Sequence, residues 1–378
     1  MEQEHGPLHG LRVIEMAGLG PGPFCGMLLA DMGAGVIVIE RPAAQRVVQV
    51  GDGLNRGKRS ICLNLKNPES LQAVRRLIDG ADALIEGYRP GVMERLGLGP
   101  STFGLSNPRL VYGRVTGWGQ TGPLSQAAGH DINYVALSGA MSVGARGGTA
   151  PSLPATVIGD MGGGAMFLAF GIVCALLEAR NSGRGQVVDA AIIDGVGMLT
   201  ALMHSMRGAG LWSDNPERNF FLHSSPFYDS FECADGRHVT LGAIEPQFYD
   251  ELLQRLDLED VDPAGQHDWR QWPALRQRVA ARIRSRTRDE WQLLLEGTDV
   301  CFAPVLSLQE AAEHEHQRAR GNFVAVAGHL QPSPAPRFSR SVPRQPQPGT
   351  TAGQHGEQIL AELGLHPEQI AALLVREN

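Results

Sequence analysis

The chain has 378 residues and a formal net charge of −7, from 33 Lys plus Arg against 40 Asp plus Glu. That balance gives no global basic field for nucleic acid, and 43% hydrophobic with 19% charged residues excludes a disordered chain. At a typical ~150 residues per domain, the length points to about two domains. Five scattered cysteines without a C-x-x-C pair argue against a disulfide framework or a zinc site, so no metal is expected. The acidic, polar start from Met1 to His5 does not read as a secretory signal, and a cytoplasmic protein is expected.

Strand and helix patterns alternate through the first 200 residues. Residues 11–15 read as a strand, 18–22 as a turn, 24–32 as a helix and 36–39 as a short buried strand. Asn67-Pro68-Glu69 opens a helix, with Asn as the cap and Pro at its first position, running to about Asp79. Further strands are predicted at 83–85, 110–112 and 186–189, with a helix over 161–178. The uncharged run 161–177 is 17 residues, marginal for a bilayer span. It reads as a buried helix, and no membrane span is expected. Such alternation predicts an α/β domain around a mostly parallel sheet.

Beyond about residue 225 the pattern changes. Residues 228–233 and 238–242 flank the turn Ala234-Asp235-Gly236, which predicts a hairpin. Helices are predicted at 246–257, 273–285 and 288–296, the last opened by the capping box Thr287-Arg288-Asp289-Glu290, and 301–306 as a strand. This reads as a smaller α+β domain. Six prolines between 331 and 348 mark an extended strap, and 356–374 a closing helical stretch. The expected division is 1–200 as the large domain, 201–225 as a linker and 226–325 as the small domain. Residues 326–378 then form the strap and helices that return to the large domain.

The first strand, turn and helix invite a dinucleotide reading, which needs G-x-G-x-x-G so that backbone amides reach a pyrophosphate. The run is Gly18-Leu19-Gly20-Pro21-Gly22-Pro23: Pro23 takes the third glycine's place, and both prolines lack the N–H a phosphate wants. A rigid turn is the better reading. No P-loop occurs, and no cofactor is expected.

Three segments set a polar group among small or apolar residues. In Gly129-His130-Asp131-Ile132-Asn133-Tyr134 a histidine precedes an apolar run. In Gly159-Asp160-Met161-Gly162-Gly163-Gly164 the Asp is an ordinary helix cap, but the glycines would each cost about 0.8–1 kcal/mol inside a helix. At a helix start they would let a ligand approach free amides that stabilise an anion. In Gly242-Ala243-Ile244-Glu245-Pro246-Gln247 a Glu stands at a strand-to-helix junction. His, Asp and Glu with an anion-stabilising helix end suit removal and return of a proton beside a carbonyl. Inversion of the carbon needs one acid/base group on each face.

These strings resemble the α-methylacyl-CoA racemase branch of the class III (family III) CoA-transferase superfamily over nearly the whole chain. Further matching strings are Gly20-Pro21-Gly22-Pro23-Phe24-Cys25, Gly57-Lys58-Arg59-Ser60, Thr116-Gly117-Trp118-Gly119-Gln120-Thr121-Gly122 and Ala243-Ile244-Glu245-Pro246-Gln247-Phe248-Tyr249. The resemblance implies a Rossmann-like large domain without nicotinamide, a small domain, and an interlocked homodimer whose active site lies between one large domain and the partner small domain. The substrate would be a 2-methylacyl-CoA thioester, its (2R) and (2S) forms interconverted through an enolate, with CoA entering only as part of the substrate.

By the same resemblance, His130 and Asp160 would be the two acid/base residues, with Glu245 from the other chain hydrogen-bonded to His130. Asp160, Met161, Gly162 and Gly163 would face the thioester oxygen. Contacts to substrate and CoA would come from Arg41, Cys62, Leu63, Asn64, Leu65, Lys66, Arg89, Arg95, Gly129, Asp131 and Tyr134. Asp160 must act as an acid in one direction, so its pKa is expected to be raised by burial.

One string departs from the family. Phe221-Leu222-His223-Ser224-Ser225-Pro226 stands where racemases of this branch carry Leu-Asp-Gly-Gly-Ala-Pro, which leaves the acyl substrate open. Two alternatives remain at this point. One is a CoA-transferase working through an Asp160 acyl anhydride, and the other a non-catalytic acyl-CoA binding protein.

Overall fold

The computed structural model describes residues 6–42, 52–146 and 149–374. It divides into two compact units, one from Met1–Ser138, Pro154–Leu199 and Gly321–Asn378, the other from Gly139–Leu153 and Thr200–Arg320. The bounds differ from those expected, and the second unit ends at Arg320 rather than at 325. The segment read as a linker carries the helix Ala201–Gly208 and belongs to the second unit, as does Gly139–Leu153.

In the first unit six parallel strands form one sheet: β1 (Arg12–Met16), β2 (Gly35–Glu40), β3 (Arg59–Cys62), β4 (Ala83–Glu86), β5 (Val111–Thr116) and β6 (Val187–Ala191). Their order is β3-β2-β1-β4-β5-β6. The central strands are nearly unbroken apolar runs because helices cover both faces. On one face Ile14, Ile37, Ile61, Leu84 and Tyr112 pack with Val74, Leu77 and Ile78 of the helix Pro68–Asp79 and with Ile359 and Leu360 of the helix Gly356–Glu362. The expected cap of the first of these helices is present: Asn67 Oδ1 accepts from the Glu69 N–H at 2.8 Å. Two ion pairs are buried beside the sheet. Lys58 Nζ lies 2.7 Å from Glu15 and donates to the Pro23 carbonyl at 2.9 Å, while Arg56 grips both oxygens of Asp31.

The apolar run is a π-helical stretch, Val157–Met166, continued by the helix Phe167–Ser182. Gly163 and Gly164 in it, and Gly195 facing them, have a packing reason. A Cβ on Gly163 would lie 2.5 Å from Val196, one on Gly164 3.0 Å from Ile192, and one on Gly195 1.9 Å from the Gly163 carbonyl oxygen. The helix Ile192–Leu199 therefore crosses in van der Waals contact where the sequence suggested room for a ligand. Nor is the run a buried helix all round. Leu168, Ile172, Ala175 and Ala179 are buried, whereas Met166, Phe170, Val173 and Leu177 are between 41% and 69% exposed. By length and composition Val157–Ser182 is the one helix among the described residues that would pass for a membrane span.

The second unit is built on an antiparallel sheet of β7 (Tyr228–Glu232), β8 (His238–Gly242) and β9 (Phe302–Pro304). The helices Pro246–Arg255, Trp272–Ile283 and Arg288–Leu295 cover it around a core that includes Phe231, Leu241, Tyr249, Leu252, Val279 and Trp291. The predicted capping box forms, Thr287 and Glu290 bonding each other's backbone amides. The proline-rich strap is preceded by a hairpin that the sequence reading did not predict, β10 (Phe323–Val326) with β11 (His329–Pro332). It belongs to the first unit, where Arg56 donates to the Pro332 carbonyl at 2.7 Å and Arg59 pairs with Glu362 at 2.6 Å.

Candidate active site

In a parallel sheet the carboxyl ends of all strands lie on one edge, and ligands favour the point where strand order reverses, here between β1 and β4. The segments leaving that edge are 17–20, Arg41, 63–66, 87–89 and 117–120. The helix Val157–Ser182 precedes β6 and packs beside β5, so its start returns to the same edge. That puts Asp160 against the first turn. A Cβ on Gly20, whose φ of +67° suits glycine, would stand 3.3 Å from Asp160 Oδ2.

His130 caps the helix Asp131–Leu137, its N–H donating to Asn133 Oδ1 at 3.1 Å. The ring of Tyr134 fixes this segment from below. It fills the space that Cβ atoms on Gly117 and Gly129 would occupy, meets Trp118 edge-on at 4.7 Å, and donates its hydroxyl to the Gly129 carbonyl. The His130 backbone is thus held, while its side chain is exposed. Asp131 then links the two candidate acid/base segments: its Oδ1 accepts the Asp160 N–H at 2.8 Å, in a slot that only Gly159 leaves open.

Asp160 is half-buried and its pKa is pushed up to about 6. Burial is the largest cause, the like charge of Asp131 adds to it, and His130 opposes. The expected rise is therefore present, with a neighbouring carboxylate as an unexpected contributor.

The open helix tip expected for the thioester oxygen differs in the structure. The Asp160 amide is engaged by Asp131, and the Met161 amide donates to the Thr156 carbonyl at 2.9 Å. Gly162 and Gly163 lie inside the π-helical ladder, whose amides reach back five residues. The amide–carbonyl pairing of the wider helix and the Asp131 cap together consume the donors that an α-helical start would leave free.

The CoA-contact residues also divide. Arg41, with its guanidinium 5.6 Å from the Tyr88 ring centroid, and Lys66, Arg89 and Arg95 are exposed cations near that edge. Asn64 turns the loop by accepting the Lys66 N–H at 3.1 Å. Leu63 is fully buried and gives its N–H to the Glu40 carbonyl, so its side chain offers a ligand nothing. Leu65 packs on the core, and Cys62 Sγ faces Gly353. Tyr134 donates its hydroxyl to the Gly129 carbonyl and so supports that residue. Glu245 is exposed at the start of the helix Pro246–Arg255 in the second unit and makes no cap there. Sequence reasoning missed Gly20 and Gly117 as site-shaping positions. Gly20 sits in a loop that read only as a turn, and Gly117 in a string noted only for the family resemblance.

Residues 8–359 match the profile of CoA-transferase family III. The chain is 42% identical over 373 residues to an alpha-methylacyl-CoA racemase of Mus musculus, covering 97% of this chain and 96% of that one. It is 39% identical over 372 residues to the alpha-methylacyl-CoA racemase of Homo sapiens, with the same coverage. The crystal structure of a CAIB/BAIF family protein from Brucella suis superposes with a TM-score of 0.82 at 25% identity, over 95% of this chain and 100% of that one. The fold, the site strings and these matches agree: the chain belongs to CoA-transferase family III.

Proposed function

We propose that the protein is an isomerase that interconverts the (2R) and (2S) forms of 2-methylacyl-CoA thioesters. The observation that carries this reading is the Asp131 bridge, which brings the His130 segment and the half-buried, weakly acidic Asp160 to one edge of the sheet. One of the two removes the proton on C2, the electron pair moves onto the thioester oxygen, and the other delivers a proton to the opposite face. A carboxyl group with a pKa of about 6 is suited to both roles near neutrality. The exposed Arg41, Lys66, Arg89 and Arg95 supply cations for the phosphates of CoA. No cofactor beyond the CoA of the substrate enters this chemistry.

We infer in addition that a second copy completes the protein. The outward stripe of Met166, Phe170, Val173 and Leu177 is a row of exposed large apolar side chains on one helix, whose opposite face is locked onto β5. Glu245, offered by a partner, would then orient the exposed imidazole of His130.

The test is proton exchange at C2, followed by NMR in heavy water without any acyl acceptor. The reading expects deuterium uptake and the same final ratio of epimers from either hand. Carboxylate-dependent CoA exchange with a trapped acyl–Asp160 adduct would replace it with the transferase reading, in which Asp160 is a nucleophile.

A further inference from the structure

β3 is an edge of the six-stranded sheet, so its outward-facing N–H and C=O groups have no neighbouring strand to meet. Residues 349–355 of the returning strap cover that edge. Gly349 makes an antiparallel bridge to Arg56, and Thr350 is buried. At Ser60 one residue satisfies both backbone groups. The His355 N–H donates to the Ser60 carbonyl at 2.9 Å, and the Ser60 N–H donates to His355 Nδ1 at 3.3 Å. The Ser60 hydroxyl is drawn into the same closure: it donates to the Glu40 carboxylate and accepts the Gly353 N–H at 2.8 Å.

This closure lies at the carboxyl edge of the sheet, where the cations for CoA stand. Gly353 rests on Cys62, since a Cβ there would be 3.2 Å from Cys62 Sγ, and the loop 63–66 follows at once. In that loop Asn64 Oδ1 accepts the Lys66 N–H at 3.1 Å, and the Leu63 N–H is held by the Glu40 carbonyl at 2.9 Å. Glu40 is the last residue of β2, and Arg41 comes next. One strap thus clamps the ends of both strands that lead into Arg41 and Lys66.

A closure made by another strand would use peptide carbonyls, which accept at any ordinary pH. Here the acceptor is a ring nitrogen, which has its lone pair only while the imidazole is neutral with the proton on Nε2. Protonation would set N–H against N–H and place a second cation beside Arg59. The charged groups around the ring are Arg59 on β3, Glu362 and the exposed Glu357 on the following helix, and Glu40 behind the Ser60 hydroxyl. Glu362 is spent on Arg59 at 2.6 Å and Glu40 on Ser60. Burial first, and Arg59 second, hold the His355 pKa below its ordinary 6.5. The folded protein therefore takes up this proton less readily than the unfolded one. The closure is complete near neutrality and loosens as pH falls.

We propose that neutral His355 is a positioning residue for CoA recognition: by closing the strap on β3 it holds Arg41 and the loop 63–66 in the arrangement that meets the CoA phosphates. This rests on the acyl-CoA reading above. Protonation of His355 releases the clamp and weakens CoA binding without touching the groups that move the C2 proton.

The test is the dissociation constant of CoA itself, by calorimetric titration at pH 7.5 and pH 5, with C2 exchange kinetics alongside. At pH 7.5, His355→Ala should weaken CoA binding about tenfold and raise the thioester KM to match, with kcat within about twofold of native. His355→Asn puts an amide oxygen where Nδ1 stands and should restore native binding at pH 7.5. It cannot titrate, so on going to pH 5 the native protein should lose about threefold more affinity than His355→Asn. Titration of the CoA phosphates is common to both proteins and cancels. His366→Asn, at the cap of the helix Pro367–Leu373, should match the native protein at both pH values. Equal affinity of His355→Ala and native protein, or one pH response shared by native and His355→Asn, overturns the proposal and leaves the racemase reading standing. A fall in kcat as large as the rise in KM makes the residue merely structural and also overturns it. CoA binding that follows His355 as described, without C2 exchange, supports the clamp and overturns the racemase reading. No CoA binding by any of these proteins overturns both. If His355→Ala does not fold, the pH comparison of native protein with His355→Asn decides alone.

Discussion

Glu15 and Asp160 flank the same glycine-rich turn, yet they are held in opposite ways. Glu15 is closed over completely, with Lys58 at 2.7 Å and Gly26 beneath it, where a Cβ would stand 1.9 Å from its carboxylate. Asp160 is only partly buried, sits beside a second carboxylate, Asp131, and has no ion pair among the described residues. A carboxylate closed over and paired with Lys58 serves the fold. A charge that is partly buried next to a like charge is poised between two states and serves chemistry.

The sharpest way to break this contrast is to unpair Glu15. Lys58→Met should cost about 3–5 kcal/mol, measured as a fall in the denaturant midpoint, because it strands a carboxylate in the core. The double change Glu15→Gln with Lys58→Met should recover much of the loss. A single change worth less than about 1 kcal/mol would show that the pair is not structural.

The turn between the two carboxylates gives the next effect. Gly20→Ala puts a Cβ 3.3 Å from Asp160 Oδ2 on a residue with φ +67°. It should slow C2 exchange by about tenfold through misplacement of that carboxyl and cost about 1 kcal/mol of stability. Unchanged exchange would separate the turn from the site.

Asp160 itself should destabilise the protein at neutral pH. Its folded pKa, about 6, lies above its ordinary value of 3.8. The folded protein therefore binds more protons than the unfolded one between those values, so this contribution is present at low pH and lost as pH rises through 6. Discounted for solvent screening, Asp160→Asn should gain about 1 kcal/mol at pH 8 and nothing at pH 4, read from paired melting curves. The opposite sign would mean that Asp160 has a cation partner. The smallest effect belongs to Asp131. Asp131→Asn keeps an acceptor for the Asp160 amide but removes the like charge, so the acidic limb of the pH–rate profile should move down by about half a unit.

The sheet was readable because its strands are apolar runs between turn residues, and the Asn67 and Thr287 caps because capping is local. His130, Asp160 and Glu245 were singled out as polar groups in small or apolar surroundings, with their roles implied by the family resemblance. What escaped the sequence was long-range. The glycines after Asp160 looked like space for a ligand and turned out to be space for the helix Ile192–Leu199. A π-helical ladder has no simple sequence signature, and it removes donors that an α-helix would have left open. That the Leu63 side chain is buried in the core and that Tyr134 props Gly129 were also not legible in the sequence. Gly139–Leu153, a segment from the first half of the chain, joins the second unit, which no local pattern announces.

The central claim is that His130 and Asp160 work on one carbon from opposite sides. The most direct measurement is deuterium uptake at C2 for each epimer separately, comparing the native protein with His130→Ala and Asp160→Asn. Loss of interconversion by about a thousandfold in both variants, with thioester binding retained, is the expected result. Exchange at the native rate in either variant would contradict it.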